Sequence, residues 1–117
     1  RLNWRAFTEA ARYGYNEASA AISLGLPQVM GFNYATLGYS NPAEQFTFFT
    51  NDIRWQVLGY FDFIVNYRRE LLNAARNRDF GAFAGIYNGR AGLQPGSYGA
   101  KMLQTYQNLF QVMGVLQ

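Results

Sequence analysis

The strongest helical pattern in this chain covers residues 53–71, which read IRWQVLGYFDFIVNYRREL. Its side chains recur at the i, i+4, i+7 and i+8 spacing that places residues on one face of a helix. The residues on this stripe are Ile53, Val57, Tyr60, Phe61, Ile64, Arg68 and Leu71. Trp55, Leu58 and Phe63 lie off the stripe, so we expect this helix to be buried on more than one side, at the centre of the domain. Thr50 or Asn51 is predicted to be its N-cap.

Helical patterns also cover most of the remaining chain. The other predicted helices are residues 3–13, Glu17–Ile22, Pro42–Phe49, Phe80–Tyr87 and a last helix running through Phe110. Their predicted N-caps are Asn16, Asn41, Asp79 and Ser97, whose side chains can accept from free helical N–H groups. Gly14 is expected to end the first helix, and Asn88-Gly89 the fourth of these. No alternation of period two is long enough to predict a strand, so the predicted fold class is all-α, with residues 1–117 as a single domain.

Composition and charge restrict the classes of function. Half of the 117 residues are apolar, 18% are aromatic and only 15% are charged, which is typical of a folded domain. No apolar run approaches the roughly 20 residues that cross a bilayer, so we expect no membrane insertion. Cysteine and histidine are both absent, which excludes disulfides, histidine general bases and Cys/His zinc sites. We therefore expect neither a metal nor a cofactor.

The chain carries a formal charge of +3, and nine of its ten basic residues are arginines. This charge could be ordinary surface charge or could attract a polyanion, either nucleic acid or an anionic cell-wall polymer. The arginines are scattered along the sequence and form no basic stripe, so a nucleic-acid partner is not expected.

Residues 23–39, SLGLPQVMGFNYATLGY, are the strongest candidate for a binding site. They combine three glycines with a lone amide, Gln28, and with the pair Asn33-Tyr34. Amides and tyrosines are neutral groups that hydrogen-bond to and stack on a polyol. From the residues alone, Gln28 could either brace a loop or contact a ligand. The same two interpretations apply to Tyr87-Asn88-Gly89, which could simply end a helix.

Any acid catalysis would have to come from carboxylates, and each of the seven has a plain structural interpretation. Glycoside hydrolysis is the main reaction that runs on one or two carboxylates without a cofactor. The carboxylates are Glu9, Glu17, Glu44, Asp52, Asp62, Glu70 and Asp79. Four of them, Glu17, Glu44, Asp52 and Asp79, fall in the first turn of a predicted helix, where a negative charge offsets the helix dipole. The others lie at helical spacing near arginines or asparagines.

Two motifs in order resemble the phage-type N-acetylmuramidases, a family of endolysin catalytic domains in the lysozyme-like superfamily. Members typically read Ser-Trp-Gly-x-Phe-Gln-Ile-Met-Gly-x-Asn-Tyr. The similar run here is Ser23-x-Gly25-Leu26-x-Gln28-Val29-Met30-Gly31-Phe32-Asn33-Tyr34, followed by Gly38-Tyr39. The second motif is Tyr87-Asn88-Gly89, preceded by Arg78-Asp79-Phe80 and followed by Tyr98. The resemblance covers nearly the whole chain.

The resemblance implies a lysozyme-like helical domain that cleaves the bond between N-acetylmuramic acid (MurNAc) and N-acetylglucosamine (GlcNAc) in peptidoglycan. Gln28, Asn33 and Tyr34 would line the glycan groove beside the scissile bond. Tyr87 and Asn88 would face it from the other lobe. A glutamate of raised pKa would be the general acid.

In this family the catalytic glutamate lies well upstream of the glutamine signature. We therefore expect it N-terminal to residue 1, with the chain forming the C-terminal two thirds of the catalytic domain, and we do not assign the role to Glu17. Leu24 and Pro27 stand where the family usually has Trp and Phe, which could weaken sugar stacking. A non-catalytic peptidoglycan-binding or structural module of a phage particle is therefore the alternative function.

The implied partner is a peptidoglycan glycan strand, together with other domains or virion proteins of the same phage. The implied location is the phage virion, or the host cytoplasm or periplasm, acting on the cell wall.

Overall fold

Helices account for most of the structure, a computed structural model that describes residues 2–89 and 98–115. The described helices are α1 (Leu2–Ala11), α2 (Tyr15–Ala21), α3 (Pro42–Asn51), α4 (Ile53–Asp62), α5 (Arg69–Arg76), α6 (Phe80–Asn88) and α7 (Tyr98–Val115). A 3₁₀ turn covers Gly31–Asn33 and a π-helical turn covers Phe63–Tyr67. The predicted all-α class is confirmed. The predicted cap Ser97 and the loop before it lie outside the described residues.

The chain divides into two compact units, Arg1–Tyr67 and Arg68–Gln117. The expectation of a single domain stays a prediction.

The prediction that the chain contains no strand is wrong in one place. β1 (Ser23–Leu24) pairs antiparallel with β2 (Val29–Met30), with Leu24 opposite Val29. Both of these side chains are buried in the core of the first unit. Strands of two residues are too short to show an alternating pattern, and for that reason the sequence did not reveal this hairpin.

The predicted helix over residues 53–71 is also wrong in its continuity. α4 ends at Asp62, the π-helical turn follows, and Arg68 leaves helical geometry at φ −119° and ψ 63° before α5 begins. The side chain of Arg68 is held within the second unit, because its Nε donates to Glu70 Oε1 at 2.7 Å and its Nη2 donates to the Ile86 carbonyl at 3.3 Å. These contacts stabilise a break that contains neither proline nor glycine.

Two predicted N-caps are confirmed and two are wrong. Asn41 Oδ1 accepts from Glu44 N at 2.9 Å, and Asp79 Oδ1 accepts from Ala82 N at 2.9 Å, as expected. Asn16 lies inside α2, whose N-cap is Gly14. Thr50 and Asn51 both belong to the end of α3, and Asp52 caps α4 instead. Thr50 and Asn51 directly precede the true cap Asp52, and Asn16 lies two residues after the true cap Gly14.

The core of the first unit lies beneath the β-hairpin. Its buried apolar residues are Leu24, Val29, Phe46 and Phe49, with Phe7, Ile22, Leu37, Tyr39 and Phe63 packed around them. The hairpin therefore inserts its paired side chains into this core while the turn between its strands projects outward. In the second unit, Leu71 and Ala74 of α5 and Phe83 and Ala84 of α6 are buried. Arg78 lies over the rings of Tyr106 and Phe110 of α7, at 5.8 and 6.0 Å.

Candidate functional site

A cleft of about 560 Å³ opens beside the turn of the β-hairpin in the first unit. It is bordered by the start of α1, the hairpin, the end of α3 and α4. The lining residues are Trp4, Ile22, Ser23, Leu24, Gly25, Gln28, Phe49, Thr50 and Gln56. The polar groups in this wall are hydroxyls and amides, and an exposed tryptophan adds an aromatic surface. This combination suits a neutral, hydroxyl-rich ligand.

Gln28 is the predicted site residue that the structure places in the cleft. It adopts the left-handed conformation, with φ 56°, which is unusual for a residue other than glycine. Its amide is held on both sides, since Ser23 Oγ donates to Gln28 Oε1 at 2.7 Å and Gln28 Nε2 donates to the Gly25 carbonyl at 2.7 Å. An amide has two donors and two acceptor positions, so one of each is left for a ligand. The side chain is exposed, and both interpretations from the sequence, bracing a loop and facing a ligand, are compatible with this geometry.

Gln56 of α4 fixes the same turn from the opposite side. Its Oε1 accepts from Leu26 N at 2.9 Å, and its Nε2 donates to the Phe49 carbonyl at 2.7 Å. Gly25 passes so close that a Cβ there would lie 2.4 Å from Gln56 Oε1. Glycine is therefore required at position 25 for two reasons: a side chain there would clash with Gln56, and the backbone has a positive φ of 69°.

Trp4 supplies the aromatic surface of the cleft. Its side chain is 56% exposed although it lies at the edge of an aromatic cluster. Its ring meets those of Phe7 and Phe46 edge-on, at centroid distances of 5.8 and 6.1 Å. Packing from behind holds the indole in place while one side stays available for stacking on a sugar ring.

Two neighbouring depressions share lining residues with the cleft. One, of about 350 Å³, lies between α1 and α2 and shares Ile22 and Ser23 with the cleft. The other, of about 200 Å³, is apolar and shares Gln56 with it. The surface around the cleft is therefore indented on both sides of the hairpin.

Asn33 and Tyr34 do not line the cleft. Asn33 is buried, and its Nδ2 donates to the Met30 carbonyl at 3.3 Å. Tyr34 follows the 3₁₀ turn and is half-buried, with its backbone N–H bonded to the Gly31 carbonyl at 3.1 Å. In the described geometry these two residues support the segment that follows β2.

Tyr87 and Asn88 lie at the C-terminal end of α6 in the second unit. The ring of Tyr87 stacks nearly parallel on Phe83 at 5.9 Å and on Tyr98 at 6.5 Å. Asn88 is exposed, and Gly89 ends the helix in the left-handed region at φ 65°, as predicted. Their role in ligand binding stays a prediction.

Comparison with protein families gives a match to the N-acetylmuramidase model over residues 1–114. The chain belongs to the N-acetylmuramidase family. Family membership makes it a peptidoglycan-degrading type of glycoside hydrolase domain, as the two motifs indicated. Comparison with curated proteins finds no significant relative.

Five of the seven carboxylates of this muramidase domain make contacts that serve local structure. Asp52 and Asp79 cap helices, and Glu44 Oε2 accepts from Ser40 N at 2.6 Å. Glu9 lies 3.4 Å from Arg12 and Glu70 lies 2.7 Å from Arg68. None of the described residues that line the cleft is acidic.

Three pKa shifts follow from these contacts. The hydrogen bonds from Arg54 hold the pKa of Asp52 below its ordinary value. A bond from its own backbone N–H and then the Arg68 side chain lower the pKa of Glu70. Burial, followed by the charges of Asp62 and Glu44, raises the pKa of Tyr39, so that this phenol stays neutral. None of these shifts creates a carboxylic acid that is protonated at neutral pH.

Within the described part of the muramidase domain, no cluster of acidic side chains is arranged to hold a metal ion. No described helix has both the length and the apolar character needed to cross a membrane.

The family's tryptophan position is occupied by Leu24, which is 5% exposed in the core. The replacement of tryptophan by leucine at this position therefore affects mainly the packing of the core. Trp4 provides the exposed aromatic surface of the cleft. Sequence reasoning missed Trp4, Ser23, Thr50 and Gln56 as cleft residues. Of these, Gln56 carried a usable signal, because it is an isolated amide in the apolar run Trp55–Leu58.

Proposed function

We propose that this muramidase domain cleaves the MurNAc–GlcNAc bond of peptidoglycan as part of a phage endolysin or virion-associated lysin. The family match over residues 1–114 carries this proposal. The cleft of the first unit supports it, because its hydroxyl and amide groups and its exposed indole fit the hydroxyl and acetamido groups of a glycan strand.

The free donor and acceptor of Gln28 fit an acetamido group in particular. An N-acetyl substituent offers one carbonyl acceptor and one N–H donor, the complement of what remains on the Gln28 amide. Both sugars of peptidoglycan carry this substituent. We propose that Gln28 binds the N-acetyl group of a sugar while Trp4 stacks on a neighbouring ring.

Tyr87 and Asn88 are the other residues proposed to bind the glycan, whereas Asn33 and Tyr34 are proposed to contribute by supporting the segment that follows β2. Asn33 acts by fixing the segment after β2, given its bond to the Met30 carbonyl. Tyr87 presents a phenol at the end of α6 that can bond sugar hydroxyls.

The general acid in this proposal is a glutamate N-terminal to residue 1. It protonates O4 of GlcNAc as the bond to MurNAc C1 breaks, and water attacks C1 to leave a reducing MurNAc end. The seven carboxylates of this chain are not proposed for this role, since those with described contacts cap helices, pair with arginines or bind a backbone N–H. The proposed site of action is the bacterial wall, reached from the virion or from the host cytoplasm or periplasm.

A non-catalytic peptidoglycan-binding module of a phage particle is the second candidate. The observation in its favour is the lack of an acidic residue among the described residues that line the cleft. Such a module would bind the same glycan through the same cleft and leave it intact.

Digestion of purified peptidoglycan separates the two candidates. The full-length protein that carries this chain is incubated with the wall, and new reducing ends are reduced with borohydride and identified. We expect clearing of turbidity and reduced muramic acid, and loss of both when the upstream glutamate is changed to glutamine. Reduced glucosamine would contradict the bond specificity, and binding without new ends would favour the non-catalytic module.

The 117-residue chain alone is expected to give little or no hydrolysis. Strong lysis by this chain alone would show that the acid lies within it.

A further inference from the structure

We propose that Gln56 is a positioning residue for glycan binding, because it holds the hairpin turn in the conformation that presents Gln28 to the cleft. This inference rests on the proposed function, in which Gln28 binds the glycan.

The turn between β1 and β2 is held in an uncommon backbone conformation. Gly25 and Gln28, three residues apart, both have positive φ, 69° and 56°. The Gly25 carbonyl accepts from Gln28 N at 3.3 Å and from Gln28 Nε2 at 2.7 Å. A residue other than glycine keeps such a conformation only where surrounding contacts hold it.

Gln56 supplies a contact of this kind from outside the hairpin. Its carbonyl oxygen binds the N–H of Leu26, inside the turn, and its amide nitrogen binds the carbonyl of Phe49. Phe49 is 1% exposed and belongs to the core of the first unit. A single side chain thus links the exposed turn to the buried core of the unit.

The position of Gln28 follows from that link. Leu26 lies next to Gly25, whose carbonyl orients the Gln28 amide, so a displaced Leu26 N–H moves the Gly25 carbonyl as well. Both bonds of Gln56 go to the backbone, one to the turn and one to the end of α3, so they tie the turn to the core. A role confined to folding would change stability and leave the geometry of Gln28 unaffected.

The first test is a double-mutant cycle on the 117-residue chain, with binding of the soluble glycan GlcNAc-MurNAc-GlcNAc-MurNAc measured by calorimetry. We expect Gln28→Ala and Gln56→Met each to weaken binding about tenfold, since each removes or misplaces about one good hydrogen bond. In the Gln28→Ala background, Gln56→Met should have little further effect, because it acts through Gln28. Gln107→Met, the same change at an exposed position of α7, is the matched control.

Additive losses, or wild-type affinity in Gln56→Met, would overturn the proposal. If Gln56→Met fails to unfold cooperatively, Gln56→Glu replaces it. That variant keeps the acceptor for Leu26 N–H but loses the donor to the Phe49 carbonyl, so its affinity should fall by less than that of Gln56→Met, about threefold.

The second test needs no ligand, so it separates this inference from the proposed function. Amide hydrogen exchange at Leu26 and Gln28 is measured by NMR in the wild type, in Gln56→Met and in Gln107→Met. We expect exchange at both amides to become about tenfold faster in Gln56→Met alone, as for a turn that opens more easily. Unchanged exchange, with unchanged Gln28 side-chain signals, would refute the positioning role even if the wild type bound no glycan. Failure of the wild type to bind, with faster exchange in Gln56→Met, would instead count against the proposed function.

Discussion

Replacing Gly25 with alanine should destabilise the chain through one identifiable clash. The new Cβ would lie 2.4 Å from Gln56 Oε1 and 2.5 Å from its Cδ, well inside contact distance. Gln56 has to move away, and it then loses its bonds to Leu26 N and to the Phe49 carbonyl. The alanine must also adopt the φ of 69° that Gly25 has in the turn.

The cost can be worked out from these two effects. The left-handed conformation costs a residue with a Cβ about 1–2 kcal/mol. Two lost hydrogen bonds add about 2 kcal/mol in net terms. The lower entropy of the unfolded alanine chain offsets about 0.5 kcal/mol. The free energy of unfolding should therefore fall by about 3 kcal/mol.

Urea unfolding followed by circular dichroism measures this change, with Gly38→Ala as the matched control. Gly38 also has positive φ, 84°, but a Cβ there would meet no atom within 4 Å. Its substitution should cost only about 1 kcal/mol, the conformational term alone. In a Gln56→Ala background the penalty of Gly25→Ala should fall to that of Gly38→Ala. Equal penalties for the two single variants, or an unchanged penalty for Gly25→Ala without Gln56, would refute the reasoning.

The remaining predictions concern stability, and each is measured by urea unfolding. Gly31→Ala should lower the free energy of unfolding by about 3 kcal/mol, because the new Cβ would meet the backbone carbonyl oxygen of Ser19 on α2, which cannot move aside as a side chain can. A smaller loss of stability than that of Gly38→Ala would contradict this close packing. Gln45→Met should raise stability by about 1 kcal/mol, because the amide of Gln45 is fully buried and has no hydrogen-bond partner among the described residues; a loss of stability would show that the amide is paired. Asp79→Ala should cost about 1 kcal/mol through loss of the α6 cap, whereas Asp79→Asn should restore most of it. The Arg54 hydrogen bonds hold the pKa of Asp52 below its ordinary value in the folded chain, so its contribution is present at neutral pH and should be lost as pH falls below about 4. Asp52→Asn should flatten that part of the dependence of stability on pH, and an unchanged profile would contradict the assignment.

Local chemical signals predicted much of this structure. Asn41-Pro42, Asp79 and Gly89 each specify one helix end through their own side chain or backbone, and the structure has them as predicted. The all-α class followed from the repeated helical spacing.

Tertiary contacts decided the elements that the sequence did not reveal. The apolar stripe continues past Asp62, but the side chain of Arg68 binds Glu70 and the Ile86 carbonyl and so stabilises a break. Asn16 has the chemistry of a cap, but its Oδ1 accepts from Ala43 N at the start of α3. The hydrogen-bond partner that decides each case, the Ile86 carbonyl for Arg68 and Ala43 N for Asn16, lies in another helix and is distant in sequence.

The candidate site could be predicted only in part, because tertiary contacts also decide which side chains reach the cleft. Gln28 could be singled out because an amide between glycines is an unusual local pattern. Trp4 and Gln56 reach the cleft only through the packing of α1 and α4 beside the hairpin, which no local pattern encodes.

An NMR titration of the chain with the GlcNAc-MurNAc tetrasaccharide tests the central claim most directly, namely that the Gln28 cleft of this muramidase domain binds glycan. The chain contains two tryptophans, and only Trp4 lines the cleft, while Trp55 packs edge-on against Phe48 at 5.0 Å. We predict saturable shifts of the Trp4 indole N–H and the Gln28 side-chain amide, with the Trp55 indole N–H unchanged as an internal control. Shifts at Trp55 without shifts at Trp4 and Gln28, or no shifts at saturating glycan, would contradict the account.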